Sequence, residues 1–252
     1  MKSQIASLHQ RGKVPREIIH AINSVPNIIP SIHQISMPKR VYLCSSGPNG
    51  AEFLPSIPKE AFKIGCNTII TYPNNWNWWI AFDHRMLNYG WWNDVEIPNE
   101  TKLLFGSRLV NRLNMLRFLE VNRYRDRIPH FYFDYLPNFV CPTKLHPKWV
   151  KTPKTQLLGL AGKKLRGGLT VSGVGIQFAA FCGVKELILC GIDMKGAGHF
   201  DGFINPDPHG IHKDVWPYAD LLSDLCEELQ KRYSMKIYSL SETALRVPRW
   251  KE

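Results

Sequence analysis

Long hydrophobic runs are missing from this chain of 252 residues. No stretch approaches the roughly 18 uncharged apolar residues that a membrane-spanning helix needs. The N-terminal segment lacks the apolar core of a secretory signal, so we expect the chain in the reducing cytoplasm. Hydrophobic residues make up 44% and charged residues 21%, which excludes a disordered tail, a coiled coil and a collagen-like chain. The length predicts one large domain, or one domain with an appendage.

Paired cysteines are also missing, because none of the six cysteines forms a C-x-x-C motif. Several stand inside apolar runs such as LILC and AAFC. This pattern is typical of buried free thiols that pack as small hydrophobic side chains, and it disfavours a metal site or a disulfide. The six are Cys44, Cys66, Cys141, Cys182, Cys190 and Cys226.

Acidic residues are in the minority, with 21 of them against 32 lysines and arginines and a formal net charge of +11. A basic surface favours nucleic acid, an anionic membrane face or a phosphorylated substrate, and charge alone does not choose among them. Tryptophan is concentrated, with Trp76, Trp78, Trp79, Trp91 and Trp92 close together in the chain. Such a cluster is typical of a core, and it can also form a platform for a sugar ring or a base.

The pattern of the chain changes near residue 39. Residues 1–38 are polar and contain proline, and we interpret them as an N-terminal extension of a domain formed by residues 39–252. Short apolar runs predict strands over 41–44, 61–66, 79–82, 103–105, 131–133, 186–193 and 235–240. Helical spacing of apolar residues predicts helices within 107–127 and over 174–182 and 215–233.

The alternation of helices with apolar strands predicts an α/β fold, in which a mostly parallel sheet carries helices on both faces. Such sheets bind ligands beyond the carboxyl ends of their strands. Polar segments follow the predicted strands at 45–49, 65–67 and 83–85, and a fourth, 170–173, precedes a helix. Ser172 is the expected N-cap of that helix and Gly183 the expected C′ residue.

These four segments are candidate binding sites. Glycine lets the backbone approach a ligand closely, and serine or asparagine can hydrogen-bond phosphate or ribose. Free N–H groups at a helix N-terminus attract an anion. Each segment also fits an ordinary turn or cap, and 45–49 matches neither a Walker loop nor G-x-G-x-x-G.

The loop that follows Asp193 is rich in polar side chains. Histidine titrates near neutral pH and serves as a general base or a metal ligand. The spacing of His209 and His212 suits a metal, but no third ligand stands at a characteristic distance. Ordinary surface histidines and a catalytic base are the stronger alternatives. The polar residues of the loop include Lys195, His199, Asp201, Asp207, His209 and His212.

A family resemblance is carried, in order, by VYLCSSGPNGAEF, GCN, SGVGIQFAAFCGVKELILCGIDM and LQKRYSMKIYSL. Over about residues 40–245 the chain resembles the small bacterial sialyltransferases that decorate lipooligosaccharide. The resemblance implies inverting, metal-independent transfer of a sugar from a CMP-sugar donor, with no cofactor. It also implies a modified Rossmann-like, GT-A-like single domain with a lid loop.

The resemblance assigns roles to individual residues. His212 would be the general base that deprotonates the acceptor, with His209 second. Lys195 stands where the family has a tyrosine that stabilises the departing phosphate, which a lysine cation can also do. Arg166 is a candidate for the donor carboxylate. The nucleotide-binding residues would be Gly47, Pro48, Asn49, Asn67, Asp83, Ser172, Gly173 and Asp193.

The expected donor is CMP-sialic acid, with CMP-Kdo second, and the expected acceptor is a glycan or glycolipid. The basic surface suits peripheral contact with an anionic membrane at its inner face. A homo-oligomer is a further possible assembly. A pterin-type pyrophosphokinase is one rival, and it would need ATP and Mg²⁺, with Asp83 and Asp193 as oxygen ligands. A basic nucleic-acid-binding module is the other. Neither zinc spacing nor a ribonucleoprotein-type aromatic motif supports it, so no nucleic-acid partner is expected.

Overall fold

A computed structural model of the chain describes residues 16–82, 86, 91, 95–107, 109–111, 128–133, 135–136, 165–166, 170–194 and 216–251. The α-helices in these ranges are α1 (Arg16–Asn23), α2 (Gly50–Phe53), α3 (Val171–Phe181) and α4 (Trp216–Tyr233). The strands are β1 (Arg40–Cys44), β2 (Lys63–Cys66), β3 (Trp78–Ala81), β4 (Lys102–Gly106), β5 (Phe131–Phe133), β6 (Tyr135–Leu136), β7 (Leu165–Arg166), β8 (Glu186–Cys190) and β9 (Lys236–Ser239). The 3₁₀ helices are Ile29–Gln34, Leu54–Ser56 and Asn67–Thr71.

Seven of the described strands form one sheet in the order β5-β4-β3-β2-β1-β8-β9, and every pair in it is parallel. The predicted parallel sheet is confirmed. Strands β1 and β8 are buried except at their first residues, as their nearly continuous apolar sequences require. The strand order reverses at β1, which pairs with β2 on one side and β8 on the other. The carboxyl ends at such a reversal form a ligand-binding crevice.

Helix α3 lies against one face of the sheet, and all eleven of its residues are buried. A Cβ added to Gly175 would lie 2.6 Å from Leu43 Cδ1, so glycine allows the helix to approach β1 closely. The loop after α3 reaches the amino edge of the sheet, where the Lys185 N–H donates to Lys39 O at 2.8 Å. Helix α3 therefore points its N-terminus at the carboxyl edge.

The two ends of α3 differ in how well the sequence predicts them. Ser172 is not the N-cap, because the helix begins at Val171 and the Thr170 hydroxyl accepts from the Gly173 N–H at 3.2 Å. The cap must have extended backbone, which Thr170 has (φ −138°, ψ 158°). Gly183 is confirmed as the C′ residue, since its φ of +81° lies in the left-handed region that ends many helices.

Short elements cover the opposite face of the sheet. Buried side chains there include Leu54, Ile69, Trp76, Trp79 and Leu109. Helices therefore lie on both faces, as predicted. Within the tryptophan cluster, Trp76, Trp78 and Trp79 belong to the core, whereas Trp91 is only half-buried and Trp92 lies outside the described residues.

Part of the segment interpreted as an N-terminal extension packs on the sheet. Ile28 and Ile32 have no exposed surface. The Ile28 N–H donates to Tyr132 O at 2.9 Å, and the Tyr132 N–H donates to Pro26 O at 3.0 Å, so this segment extends the sheet beyond β5. The described residues before residue 39 thus contribute to the same hydrophobic core as the sheet.

The described cysteines are buried and free, as predicted, and Cys141 lies outside the described residues. Burial raises the pKa of the thiols of Cys182 and Cys226 to about 12. These thiols stay protonated at neutral pH and pack as small apolar groups. Among the described helices, none has the length and apolar character needed to cross a membrane.

Candidate active site

The turn after β1 lies against the carboxyl end of β8. The Ser45 N–H donates to Cys190 O at 2.9 Å, and the Gly47 N–H donates to Gly191 O at 2.8 Å. These bonds continue the pairing of β1 with β8 past the strand ends. The turn therefore sits at the reversal of strand order, where the sequence predicts ligand binding.

The Asp193 side chain holds this turn in place through hydrogen bonds. It is only 3% exposed, and its Oδ2 accepts from the Asn49 N–H at 2.7 Å. Its Oδ1 accepts from the Ser241 hydroxyl at 3.4 Å, while Ser241 Oγ also accepts from the Gly191 N–H at 3.0 Å. The carboxylate thus joins three segments of the chain. This geometry makes Asp193 a positioning residue for the turn.

Gly47 is required by close packing. A Cβ at this position would lie 2.5 Å from Gly191 O and 2.7 Å from Asp193 Oδ2. Gly191 has a φ of +65°, and a Cβ there would overlap Ser45 O. The two glycines let the strand ends approach so closely that the turn can bond Asp193.

Most backbone N–H groups of the turn already donate hydrogen bonds to other groups of the protein. Those of Gly47 and Asn49 bond Gly191 O and Asp193, and that of Gly50 bonds Gly47 O at 2.8 Å. Pro48 has no N–H to offer. The turn therefore offers side chains to a ligand, chiefly the half-buried Asn49 and the exposed Pro48, more than it offers backbone donors.

Asn67 joins the ends of β2 and β3. It adopts a left-handed conformation with a φ of 48°, which asparagine tolerates better than most residues. Its Oδ1 accepts from the Phe82 N–H at 3.1 Å, and its carbonyl accepts from Trp79 Nε1 at 2.9 Å. No described residue bonds its Nδ2 group, which can therefore donate to a ligand.

The N-terminus of α3 supplies further donors at this edge. The N–H groups of Val171 and Ser172 precede the first intrahelical bond, and no bond from them occurs within the described residues. Ser172 is 4% exposed, and its hydroxyl likewise has no partner in the described part of the chain. The helix dipole adds positive potential, so this terminus favours an anion.

Several predicted residues are not placed here. Asp83, Lys195, His209 and His212 lie outside the described residues, and Arg166 is described only as a backbone position in β7.

Sequence reasoning missed Ser241. The signal was available, because the polar segment S-E-T follows the last strand just as the other polar segments follow theirs.

Asn67 gives a direct test of this site. Asn67→Asp keeps the Oδ1 acceptor and tolerates the left-handed backbone, but it replaces the Nδ2 donor with a negative oxygen. We expect CMP affinity to fall about tenfold or more, because a hydrogen bond to a charged group contributes about 1.5–3 kcal/mol. The melting temperature should change little. Isothermal titration with CMP measures the effect.

Asn77→Asp is the matched control. Asn77 Oδ1 accepts from the Lys63 N–H at 2.7 Å at the amino edge of the sheet, so it makes the same kind of bond far from the crevice. Its CMP affinity should equal that of the wild type. An Asn67→Asp affinity within twofold of the wild type would contradict the assignment.

Comparison with known proteins gives similarity only among solved structures. No protein-family model matches the chain, and no curated protein sequence does. The sialyltransferase CstII from Campylobacter jejuni, in complex with cytidine-5'-monophosphate, is 17% identical with a TM-score of 0.45, and 82% of each chain is covered. The monofunctional α-2,3-sialyltransferase Cst-I from Campylobacter jejuni is 13% identical with a TM-score of 0.42, covering 82% of this chain and 78% of that one.

These similar structures are sialyltransferases, the family that the sequence motifs resemble.

Proposed function

We propose that this protein is an inverting glycosyltransferase that takes an acidic sugar from a CMP-sugar donor and gives it to a glycan or glycolipid acceptor. CMP-sialic acid is the first donor and CMP-Kdo the second. One observation carries the proposal: the turn around Gly47, the end of β2 at Asn67 and the N-terminus of α3 occupy the same edge of the sheet, where its strand order reverses.

The donor phosphate belongs at the N-terminus of α3 in this proposal. The N–H groups of Val171 and Ser172 and the Ser172 hydroxyl offer three donors to a phosphate oxygen. Such fixed dipoles stabilise charge that develops on a departing group. The side chains of Asn49 and Asn67 remain for the ribose and the cytosine. Asp193 holds the turn in place and does not need to touch the donor.

The reaction needs two charges to be accommodated, the negative charge on the departing CMP and the proton that leaves the acceptor. The bond between the sugar carbon and the phosphate oxygen breaks, and its electron pair stays on CMP. The acceptor oxygen attacks the opposite face of the sugar, which inverts the configuration. His212 takes the acceptor proton as general base, Lys195 stabilises the departing phosphate, and Arg166 pairs with the donor carboxylate. The roles of these three residues follow from the family resemblance.

CMP should raise the melting temperature more than UMP, AMP or GMP. A ligand at a hundred times its dissociation constant stabilises the native state by about 2.7 kcal/mol, which a thermal-shift assay detects. The same assay with EDTA should give the same CMP shift, since metal-independent transfer is proposed. A smaller shift with CMP than with the other three monophosphates would contradict the proposal.

The rival functions predict different results in that assay. A larger shift with ATP plus Mg²⁺, abolished by EDTA, would favour a pterin-type pyrophosphokinase. RNA binding with a steep dependence on salt would favour a nucleic-acid-binding module. Peripheral contact with an anionic membrane, a cytoplasmic location and a homo-oligomer stay predictions. Vesicle flotation and light scattering test the first and the last.

A further inference from the structure

A cavity of about 620 Å³ lies beside Trp91, and none of the described residues of the candidate active site lines it. This volume falls in the range of about 300–1,000 Å³ that is typical of small-molecule sites. Aliphatic side chains and prolines share its lining with Thr71, Glu96 and Asn99. Among the residues that the structure describes, the lining contains one carboxylate and no lysine or arginine. The cavity therefore disfavours phosphate and suits an uncharged ligand that carries hydroxyl groups.

Trp91 presents a hydrocarbon surface to this cavity. Its Nε1 atom is buried, while the side chain as a whole is only half-buried. Any indole surface that Trp91 contributes to the cavity is therefore carbon. A flat aromatic surface packs well against the C–H face of a sugar ring. The hydroxyl groups at the edge of the ring would then bond the carboxylate of Glu96 and the amide of Asn99. They would also donate to the hydroxyl of Thr71, whose own proton goes to Thr68 O at 2.9 Å.

Hydrogen bonds hold the walls of the cavity. The Val95 N–H donates to Trp91 O at 2.9 Å. The Thr101 hydroxyl donates to Trp76 O at 2.8 Å, which fixes the segment that follows Asn99 to the core. These bonds hold Trp91, Val95 and the segment after Asn99 in place without a ligand. A preformed site loses less conformational entropy on binding.

The cavity has a direct structural link to the candidate active site. The 3₁₀ helix Asn67–Thr71 carries Asn67 at one end, and Ile70 and Thr71 line the cavity at the other. At about 2.0 Å of rise per residue, the helix separates Asn67 from Thr71 by about 8 Å. A short oligosaccharide spans that distance.

We propose that the Trp91 cavity binds a neutral sugar ring of the acceptor glycan, beyond the residue that receives the transferred sugar. The identity of this glycan as the acceptor rests on the proposed function. Glu96 disfavours an acidic sugar, and no described lining residue is a cation, so the cavity separates the neutral part of the acceptor from the acidic donor.

Saturation-transfer NMR of the full chain tests this site with lactose and cellobiose as neutral probes and glucuronate as the acidic probe. Wild-type protein should transfer saturation to both disaccharides and not to glucuronate. Trp91→Ala should weaken disaccharide binding about tenfold, the value of one aromatic packing contact, and Trp91→Phe should retain most of it. Glu96→Gln and Asn99→Ala change exposed side chains and should each weaken binding without affecting folding.

CMP titration of the same variants separates the two proposals. Unchanged CMP affinity in all four variants is expected, because none of the substituted positions belongs to the described nucleotide site. Binding of CMP without any disaccharide binding would contradict sugar binding in the Trp91 cavity and leave the proposed function standing. Disaccharide binding without CMP binding would overturn the proposed function and leave a sugar site. Equal disaccharide affinities in the wild type, Glu96→Gln and Asn99→Ala would also contradict sugar binding in the Trp91 cavity.

Discussion

Gly47→Ala should lower the free energy of unfolding by roughly 3–5 kcal/mol and abolish CMP binding. The added methyl carbon would lie 2.5 Å from Gly191 O, and this carbonyl is held by its bond from the Gly47 N–H. The turn must therefore lift away from Asp193 and lose the bond from the Asn49 N–H. Overpacking costs about 1–3 kcal/mol and a lost bond to a carboxylate about 1.5–3 kcal/mol. Urea denaturation and isothermal titration with CMP measure the two effects.

Gly183→Ala is the control for this variant. Gly183 has a positive φ, but nothing lies within 4 Å of the added Cβ, so the cost is only about 1–2 kcal/mol of backbone strain. It lies at the opposite end of α3 from the crevice. CMP affinity should therefore be unchanged in Gly183→Ala. Normal CMP affinity in Gly47→Ala would show that the turn does not form the nucleotide site.

His212→Ala should lower turnover by about 10²–10⁴-fold, the contribution typical of a general base. His212 lies outside the described residues, in the segment between Met194 and α4. The segment follows β8, whose carboxyl end forms the candidate site. CMP affinity should stay close to that of the wild type, because the base acts on the acceptor. Steady-state kinetics with the donor and acceptor measure turnover.

The pH dependence of turnover gives an independent test of His212 as the general base. Wild-type turnover should fall as pH drops through the histidine pKa of about 6.5, because a protonated imidazole cannot accept the acceptor proton. His212→Ala should lose this dependence, whereas His209→Ala should keep it and lose less activity. A larger loss in His209→Ala would move the base to that residue. Wild-type turnover in both variants would place the base elsewhere.

Much of the fold was predictable because its signals are local. The apolar runs that became β1 and β8 end at glycine or polar residues in the sequence itself, and a glycine after an apolar helical segment is a common helix end. Parallel strands have a common carboxyl edge, so polar segments after the strands had to lie near one another. These patterns predicted that the ligand-binding site lies at the carboxyl edge of the sheet, and they placed Asn67 and the start of α3 there.

The details of the site depend on contacts between distant parts of the chain. The Asn49 N–H and Asp193 Oδ2 belong to residues 144 positions apart, and the register of β1 with β8 decides that they meet. Likewise the sequence predicted Ser172 as the N-cap, whereas Thr170 occupies that position, because both carry a hydroxyl and only the backbone conformation separates them. The sequence by itself determined the parallel sheet and its polar edge, since periodicity and turn residues act over a few positions. Only the tertiary structure decided that the Asp193 carboxylate bonds the turn and that Trp91 lines a cavity, because packing between distant segments sets the exposure of each side chain.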